Sequence, residues 1–155
     1  MSDKPSCSLK RTNSENPDFI KLVAELDAEL AIIDGDEHAF YSQYNKIDKI
    51  KEAIVVYKND IAIACGAIKP YSSEAMEVKR MYVNPEVRNM GTATFMLKGL
   101  EKWATELGYK KCILETGKRQ EDALALYAKN RYKLIPNYGQ YVGIENSVCY
   151  KKDLD

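Results

Sequence analysis

Residues 77–93 read EVKRMYVNPEVRNMGTA and change their periodicity halfway. In the first half apolar and polar side chains alternate, which predicts a half-buried strand. The two expected faces of this strand are Val78, Arg80 and Tyr82, and Lys79, Met81 and Val83. The proline in Asn84-Pro85-Glu86 ends the strand because it cannot donate a backbone hydrogen bond. Apolar residues then recur at helical spacing from Met96 to Leu107, so a helix follows.

Between this strand and helix lies the segment RNMGTA, residues 88–93. A turn of small residues that opens a helix leaves several backbone N–H groups unpaired. Together with the partial positive charge of the helix end, these groups form a candidate phosphate site. An ordinary turn that uses Gly91 for its backbone freedom is the simpler interpretation of the spacing alone, since short motifs match by chance.

Length and charge restrict the class of protein. The 155 residues fit one domain, large enough to bury a core. The 23 basic and 23 acidic side chains cancel, so we expect no nucleic acid and no anionic membrane as partners. The N-terminus is polar, and the longest uncharged apolar run, residues 61–68, is too short to span a bilayer. These features predict a cytoplasmic protein.

Cysteine and histidine usage argues against a metal. The four cysteines are Cys7, Cys65, Cys112 and Cys149, without a C-x-x-C pair, and His38 is the one histidine. We therefore expect no metal site. Such cysteines are more often buried small hydrophobes than nucleophiles.

Turn and periodicity signals outline the other elements. Asn16-Pro17-Asp18 is typical of a helix start, and Gly35 of a helix end. Lys58-Asn59-Asp60 predicts a tight hairpin between two β-branched runs, and a strand reached through a helix predicts parallel pairing. The remaining expected elements are a weak strand at 7–11, a short helix at about 36–44, a helix at 92–107, a strand at 111–115, a helix at 121–130, and strands at 132–135 and 147–151.

Two motifs in this order resemble the GCN5-related N-acetyltransferase (GNAT) family: VNPEVRNMGTA at 83–93 and ALALYAKNRY at 123–132. The likeness is specific over about residues 50–135. It implies a mixed α/β sheet of six to seven mostly antiparallel strands, flanked by helices and splayed between strands four and five. The whole chain, 1–155, would be one acetyltransferase domain, with acceptor-side elements in 1–50, the acetyl-CoA-binding core in 51–135, and a final loop and strand in 136–155.

The resemblance also implies acetyl-CoA as co-substrate and assigns its contacts. Backbone N–H groups of the 88–93 loop would hold the pyrophosphate, and the backbone of the preceding strand would pair with the pantetheine arm. The implied cofactor-binding residues are Met81, Tyr82, Val83, Arg88, Asn89, Met90, Gly91, Thr92, Ala93 and Gln120. Two positions depart from the family pattern: Gln120 replaces a common asparagine, and Arg131 replaces a common glycine.

The chemistry requires a proton acceptor, because a primary amine attacks a thioester only as the free base and alkyl ammonium groups titrate near ~10.4. Glu77 matches the family position that often supplies this carboxylate, and burial would raise its pKa toward that of a useful base. A solvated glutamate on the outer face of the sheet is the alternative. Glu115, at the end of the next strand, is the second candidate.

Tyr127 matches the family tyrosine beside the CoA sulfur. A phenol of pKa ~10 would give its proton to a thiolate whose conjugate acid has a pKa of ~8.5, which is uphill by roughly 2 kcal/mol. A hydrogen bond that stabilises developing charge on sulfur needs no full transfer, and we prefer that role. A core tyrosine on an amphipathic helix is the alternative.

The acceptor is less well defined. Candidate lining residues in the acceptor-side segments are His38, Tyr41, Tyr44, Glu115, Tyr138 and Tyr141, which suit a cationic amine but equally suit an ordinary surface. Three functions remain: a small-molecule amine N-acetyltransferase, which we favour for a compact single domain; a protein lysine or N-terminal acetyltransferase; and a non-catalytic acyl-CoA sensor. The sequence does not specify the oligomeric state, and a homodimer is one state that it allows.

Overall fold

A computed structural model describes residues 7–42, 49–88 and 90–155. Seven strands form one sheet in the order β1-β2-β3-β4-β5-β7-β6. The strands are β1 Cys7–Thr12, β2 Glu52–Lys58, β3 Ile61–Pro70, β4 Ala75–Val83, β5 Lys111–Gly117, β6 Lys133–Ile135 and β7 Ser147–Asp153. The helices are α1 Pro17–Asp34, α2 His38–Ser42, α3 Thr92–Glu106 and α4 Glu121–Lys129, with short 3-10 turns at Gly35–Glu37, Pro85–Val87 and Gly139–Tyr141. The predicted mixed α/β fold is confirmed.

Local sequence signals account for most element ends. The Asn16 side chain accepts hydrogen bonds from the backbone N–H groups of Asp18 and Phe19, at 2.8 and 3.1 Å, and so caps α1. Asn59 and Asp60 both have positive φ, 53° and 66°, which suits the two-residue turn of the β2–β3 hairpin. The short helix predicted at about 36–44 is a 3-10 turn, Gly35–Glu37, followed directly by α2. Tyr44, which was predicted to belong to this helix, lies outside the described residues.

The two long helices cover opposite faces of the sheet. Phe19, Leu22 and Val23 of α1 pack into a core cluster with the inner residues of β2 and β3. Met96, Leu97 and Leu100 of α3 belong to the other, larger cluster. Each face of β2 and β3 therefore contacts a helix, which explains why residues 53–57 and 61–68 are apolar on both faces and do not alternate with polar residues.

A β-bulge divides β4 into two halves. Tyr82 pairs with Cys65 and Lys79 pairs with Ala67, so two residues of β4, Arg80 and Met81, stand opposite one residue of β3. Arg80 takes the left-handed conformation, with φ 62°. The prediction that Val78, Arg80 and Tyr82 share a face is wrong, because the extra residue exchanges the faces: Val78 packs in the α3-side cluster and Tyr82 in the α1-side cluster.

Strands β4 and β5 separate soon after they meet. Their parallel pairing covers three residue pairs: Ala75 with Lys111, Met76 with Cys112, and Glu77 with Ile113. β5 continues in full antiparallel pairing with β7, and β4 with β3. The predicted splay between the fourth and fifth strands is confirmed, and it opens a crevice at the carboxyl ends of the parallel pair, where open α/β sheets bind ligands.

Two kinds of feature are absent from the described residues. Residues 7–42, 49–88 and 90–155 include no helix long and apolar enough to cross a membrane. The same ranges hold no cluster of three or more histidine, cysteine, aspartate or glutamate side chains suited to a metal ion.

The bulge can be tested through the glycine opposite it. A Cβ on Gly66 would lie 2.9 Å from Met81 Sδ and 3.1 Å from Leu100 Cδ1. We expect Gly66→Ala to lower the free energy of unfolding by about 1–3 kcal/mol, measured by urea denaturation. A double variant with Met81→Ala should lose less than the sum of the two single variants; strict additivity would contradict a direct contact.

Candidate active site

The crevice between β4 and β5 contains a cavity of about 790 Å³. Its walls come from α1, β4, β5, α4 and the loop before α3. Ten of the twelve predicted site residues line it: Glu77, Met81, Tyr82, Val83, Arg88, Gly91, Thr92, Ala93, Gln120 and Tyr127. Asn89 lies outside the described residues, and Met90, with 55% of its surface exposed, is not part of the cavity wall.

The N-terminus of α3 faces this cavity, and no side chain within residues 7–42, 49–88 and 90–155 caps it. Gly91 is the N-cap residue with φ 79°, and the first turn carries no acidic residue. Phe95 N–H makes the first helical hydrogen bond, 3.0 Å to the Gly91 carbonyl, so the three preceding N–H groups of the helix lie ahead of that ladder. By contrast, in α1 the Asn16 side chain accepts from two of these N–H groups, those of Asp18 and Phe19. The end of α3 therefore retains the donors and the partial positive charge that an anion requires.

The Arg88 side chain holds the loop in place. Its Nε donates to the Val83 carbonyl at 2.9 Å, and its guanidinium pairs with Glu29 on α1 at 2.7 Å. The loop is thereby attached both to the end of β4 and to the helix on the opposite side of the sheet. Because the Arg88 side chain makes these contacts, its predicted contribution to ligand binding would come from its backbone N–H group.

The second half of β4 presents an open strand edge to the cavity. On one side, Tyr82 and Val83 pair with β3. On the other, pairing with β5 ends at Glu77, so in the described part of the chain no strand covers Met81 to Val83 from the β5 side. An extended ligand can hydrogen-bond to such an edge as an added strand.

Tyr127 lies on α4 with its ring in the core and only 6% of its surface exposed. The ring packs edge-on against Tyr132, with centroids 5.6 Å apart, and is tilted against Tyr150 at 6.0 Å. Burial, and then the charge of Glu115, raise the pKa of Tyr127 well above that of an ordinary phenol. The side chain is therefore a neutral hydrogen-bond donor in the cavity wall.

Glu77 is buried, which excludes the solvated alternative, but its carboxylate already has partners. The Tyr138 hydroxyl donates to Oε2 at 2.6 Å, and Lys79 Nζ lies 3.7 Å from Oε1. Tyr138 comes from the loop before β7, and Tyr71 packs edge-on against its ring. The Glu77 carboxylate is therefore held between a hydrogen-bond donor and a cation.

Glu115, the second candidate, is in the opposite situation. Burial raises its pKa to about 7, reinforced by the charges of Asp34 and Glu77 and opposed by a Ser147 hydrogen bond and by Lys79. Its Oε2 is buried and has no hydrogen-bond partner among residues 7–42, 49–88 and 90–155. A carboxylate of this pKa facing a cavity suits a general base near neutral pH.

The remaining predicted residues divide between the cavity and its surroundings. Tyr41 and Tyr141 line it, while Tyr138 acts through Glu77 and His38 is not in the wall. Gln120 precedes α4 at the N-cap position and makes no side-chain capping bond. The sequence analysis missed Asp34, a buried acid at the last position of α1, although the lack of a basic residue in that turn was a usable signal.

Comparison with known proteins identifies a family model and a relative that each match most of this chain. A family model described as the acetyltransferase (GNAT) family matches residues 17–131. A relative from Azospirillum brasilense named IAA acetyltransferase is 27% identical over 139 residues, covering 88% of this chain and 91% of its own length.

Two solved structures resemble this chain over nearly all of its length. A Klebsiella pneumoniae protein provisionally named an acyl-CoA N-acyltransferase is 27% identical, with a TM-score of 0.81 over 96% of this chain and 98% of that chain. A GNAT family acetyltransferase from Elizabethkingia anophelis, solved with acetyl-CoA bound, is 18% identical, with a TM-score of 0.70 over 97% of this chain and 100% of that chain. At 18% identity, the likeness to the Elizabethkingia anophelis protein shows the fold alone.

The raised pKa of Glu115 predicts a pH dependence of stability. The folded pKa of about 7 exceeds the ordinary 4.5, so the folded state binds the extra proton between these values. Stability from this group is present below pH 4.5 and is lost as the pH rises through 7. The free energy of unfolding of Glu115→Gln, relative to that of the wild type, should therefore rise by about 1–3 kcal/mol between pH 5 and pH 8. Urea unfolding at both pH values measures this, with the exposed Glu145→Gln as control; equal pH slopes in wild type and Glu115→Gln would contradict the shift.

Proposed function

Because the chain belongs to the acetyltransferase (GNAT) family, we propose that it transfers the acetyl group of acetyl-CoA to a primary amine of a small molecule. The reaction would be a direct attack in a ternary complex. The observation that carries this proposal is the cavity between β4 and β5, which combines an uncapped helix end, an open strand edge and the pair Glu115 and Tyr127.

Acetyl-CoA fits the three parts of this cavity in order. Its pyrophosphate would accept hydrogen bonds from the backbone of the 88–93 loop at the N-terminus of α3. The pantetheine amides would pair with the β5-facing edge of Met81 to Val83. This path leads the thioester toward Tyr127, which lines the same cavity. Gln120, also in the wall, would contribute a side-chain amide to the cofactor.

We assign the proton acceptor to Glu115 in preference to Glu77. The acceptor amine loses a proton to the Glu115 carboxylate, directly or through water, and its nitrogen then attacks the thioester carbonyl carbon. The carbon–sulfur bond breaks, the acetyl group remains on nitrogen, and the second proton that this nitrogen loses as the amide forms passes to the thiolate. Glu77, bound by Tyr138 and close to Lys79, would instead hold the late loop against β4.

Tyr127 would stabilise the departing sulfur. Its raised pKa keeps the hydroxyl protonated, so a hydrogen bond to developing thiolate charge is available without proton transfer. Its ring contacts with Tyr132 and Tyr150 fix the hydroxyl in advance of the reaction.

A thiol-release assay with acetyl-CoA and a panel of small amines, amino acids and lysine peptides tests the proposal. Turnover of a small amine is the expected result. Turnover restricted to peptides would favour the protein acetyltransferase. Binding of acetyl-CoA, measured by calorimetry, without turnover of any amine would favour the non-catalytic sensor.

The role of Tyr127 predicts a kinetic signature. Tyr127→Phe should lower kcat by about tenfold or more, the loss of one charge-assisted hydrogen bond, while KM for acetyl-CoA stays nearly constant. Tyr150→Phe, the same substitution in the neighbouring ring, should leave kcat within about twofold because this tyrosine is not in the cavity wall. An unchanged kcat in Tyr127→Phe would refute the role.

The two carboxylates can be separated by their glutamine variants. Glu115→Gln should lower kcat/KM by about 100-fold or more and remove the inflection near pH 7, because the base is charged only above its pKa. Glu77→Gln should have the smaller effect and retain the inflection. The reverse ranking, with Glu77→Gln the more damaging and Glu115→Gln retaining the inflection, would assign the base to Glu77.

A further inference from the structure

We propose, on the basis of the proposed function, that the acceptor is a diamine: Glu115 receives the reacting amine and Asp34 binds the distal ammonium group. Both carboxylates line the same cavity, on β5 and at the end of α1. Asp34 would then be a specificity-determining residue and not part of the acetyl-transfer chemistry.

The Asp34 carboxylate is buried without a matched partner. The residue is 4% exposed, and its carboxylate oxygens make no hydrogen bond within the described ranges of the chain, while its main-chain oxygen accepts from Arg119 at 3.1 Å. The side chains of His38 and Arg119 lower the pKa of this carboxylate from a distance, and the charge of Glu37 raises it. Burial outweighs their sum, so the pKa of Asp34 remains raised. Buried carboxylates of this kind are normally paired with a cation.

The position of Asp34 in α1 strengthens the case for a cationic ligand. A helix C-terminus carries partial negative charge, so an acid there is unfavourable and a cation favourable. Asp34 is the last residue of α1, and the last turn holds no basic residue. The nearby Arg119 side chain is half exposed. Its guanidinium donates both to the Asp34 main-chain oxygen, at 3.1 Å, and to the Glu37 carboxylate, at 3.0 Å. An ammonium group would satisfy both the carboxylate and the helix end.

The cavity that holds the two carboxylates also has surface that suits a methylene chain. Leu30 and Ile33 of α1 and the rings of Tyr41 and Tyr141 line it. Lys79, the cation that acts on Glu115, lies beside Glu77. Two acidic groups in one cavity with apolar and aromatic surface match a molecule with an amine at each end.

The test compares acceptors that differ at one end. Thiol release is measured with putrescine and cadaverine, with butylamine, which lacks the second amine, and with γ-aminobutyrate, which replaces it by a carboxylate. We expect kcat/KM for one of the diamines to exceed that for both other compounds by about tenfold or more, the usual weight of one charged hydrogen bond.

Asp34→Asn supplies the matching variant. It should remove the preference by raising KM for the diamine about tenfold, with kcat and butylamine turnover little changed. Asp36→Asn, the same substitution at an exposed residue two positions away, should keep the preference. The melting temperature of Asp34→Asn should stay constant or rise, because an unfavourable buried charge is removed. An equal loss with diamine and butylamine, together with a lower melting temperature, would show that Asp34 is structural and overturn the inference.

The remaining outcomes distinguish the inference from the function on which it rests. Equal turnover of butylamine and diamines, a preference for γ-aminobutyrate, or turnover only of amino acids or peptides would overturn the diamine inference and leave an N-acetyltransferase in place. Acetyl-CoA binding without turnover of any amine would overturn both.

Discussion

The pairing of β4 with β5 over only three residue pairs determines the rest of the site. Backbone polar groups that leave a ladder need another partner, from water or from a ligand. Divergence after Glu77 and Ile113 therefore creates a slot bounded by strand edges, and the same divergence brings the N-terminus of α3 and the inner face of α4 to its rim. One interruption in the sheet thus supplies the strand edge, the helix end and the volume.

Within that slot, the buried acids differ in what surrounds them. Glu77 is held by Tyr138 and Lys79, whereas Glu115 and Asp34 face the cavity with burial as their dominant influence. This difference, more than position along a strand, separates a structural carboxylate from one suited to exchange protons or to bind an ammonium group. Tyr138 therefore engages the Glu77 carboxylate and leaves the carboxylates of Glu115 and Asp34 available to a ligand in the cavity.

The sequence was sufficient for the fold, and ten of the twelve site residues predicted from it line the cavity. Turn residues such as Asn59 and Asp60, the α1 cap at Asn16 and the motif around Gly91 are local signals that the structure follows. The bulge at Arg80 was missed because strict alternation contains no cue for one extra residue. The surroundings of Glu77, Glu115 and Asp34 could not be predicted for another reason: a carboxylate's partners are distant in the chain, as the 61-residue separation of Tyr138 and Glu77 shows.

The bulge also constrains how this chain can change in length. Deleting Arg80 or Met81 would remove the extra residue and restore a regular ladder, in which Tyr82 still pairs with Cys65 and faces the α1-side cluster. A deletion elsewhere in β4 has no extra residue to absorb it, so it would shift the register and turn the following side chains to the other face. Changes of length among relatives should therefore be absent from the rest of β4, and should occur at the bulge or in the exposed turn at 71–74, where the site stays in place.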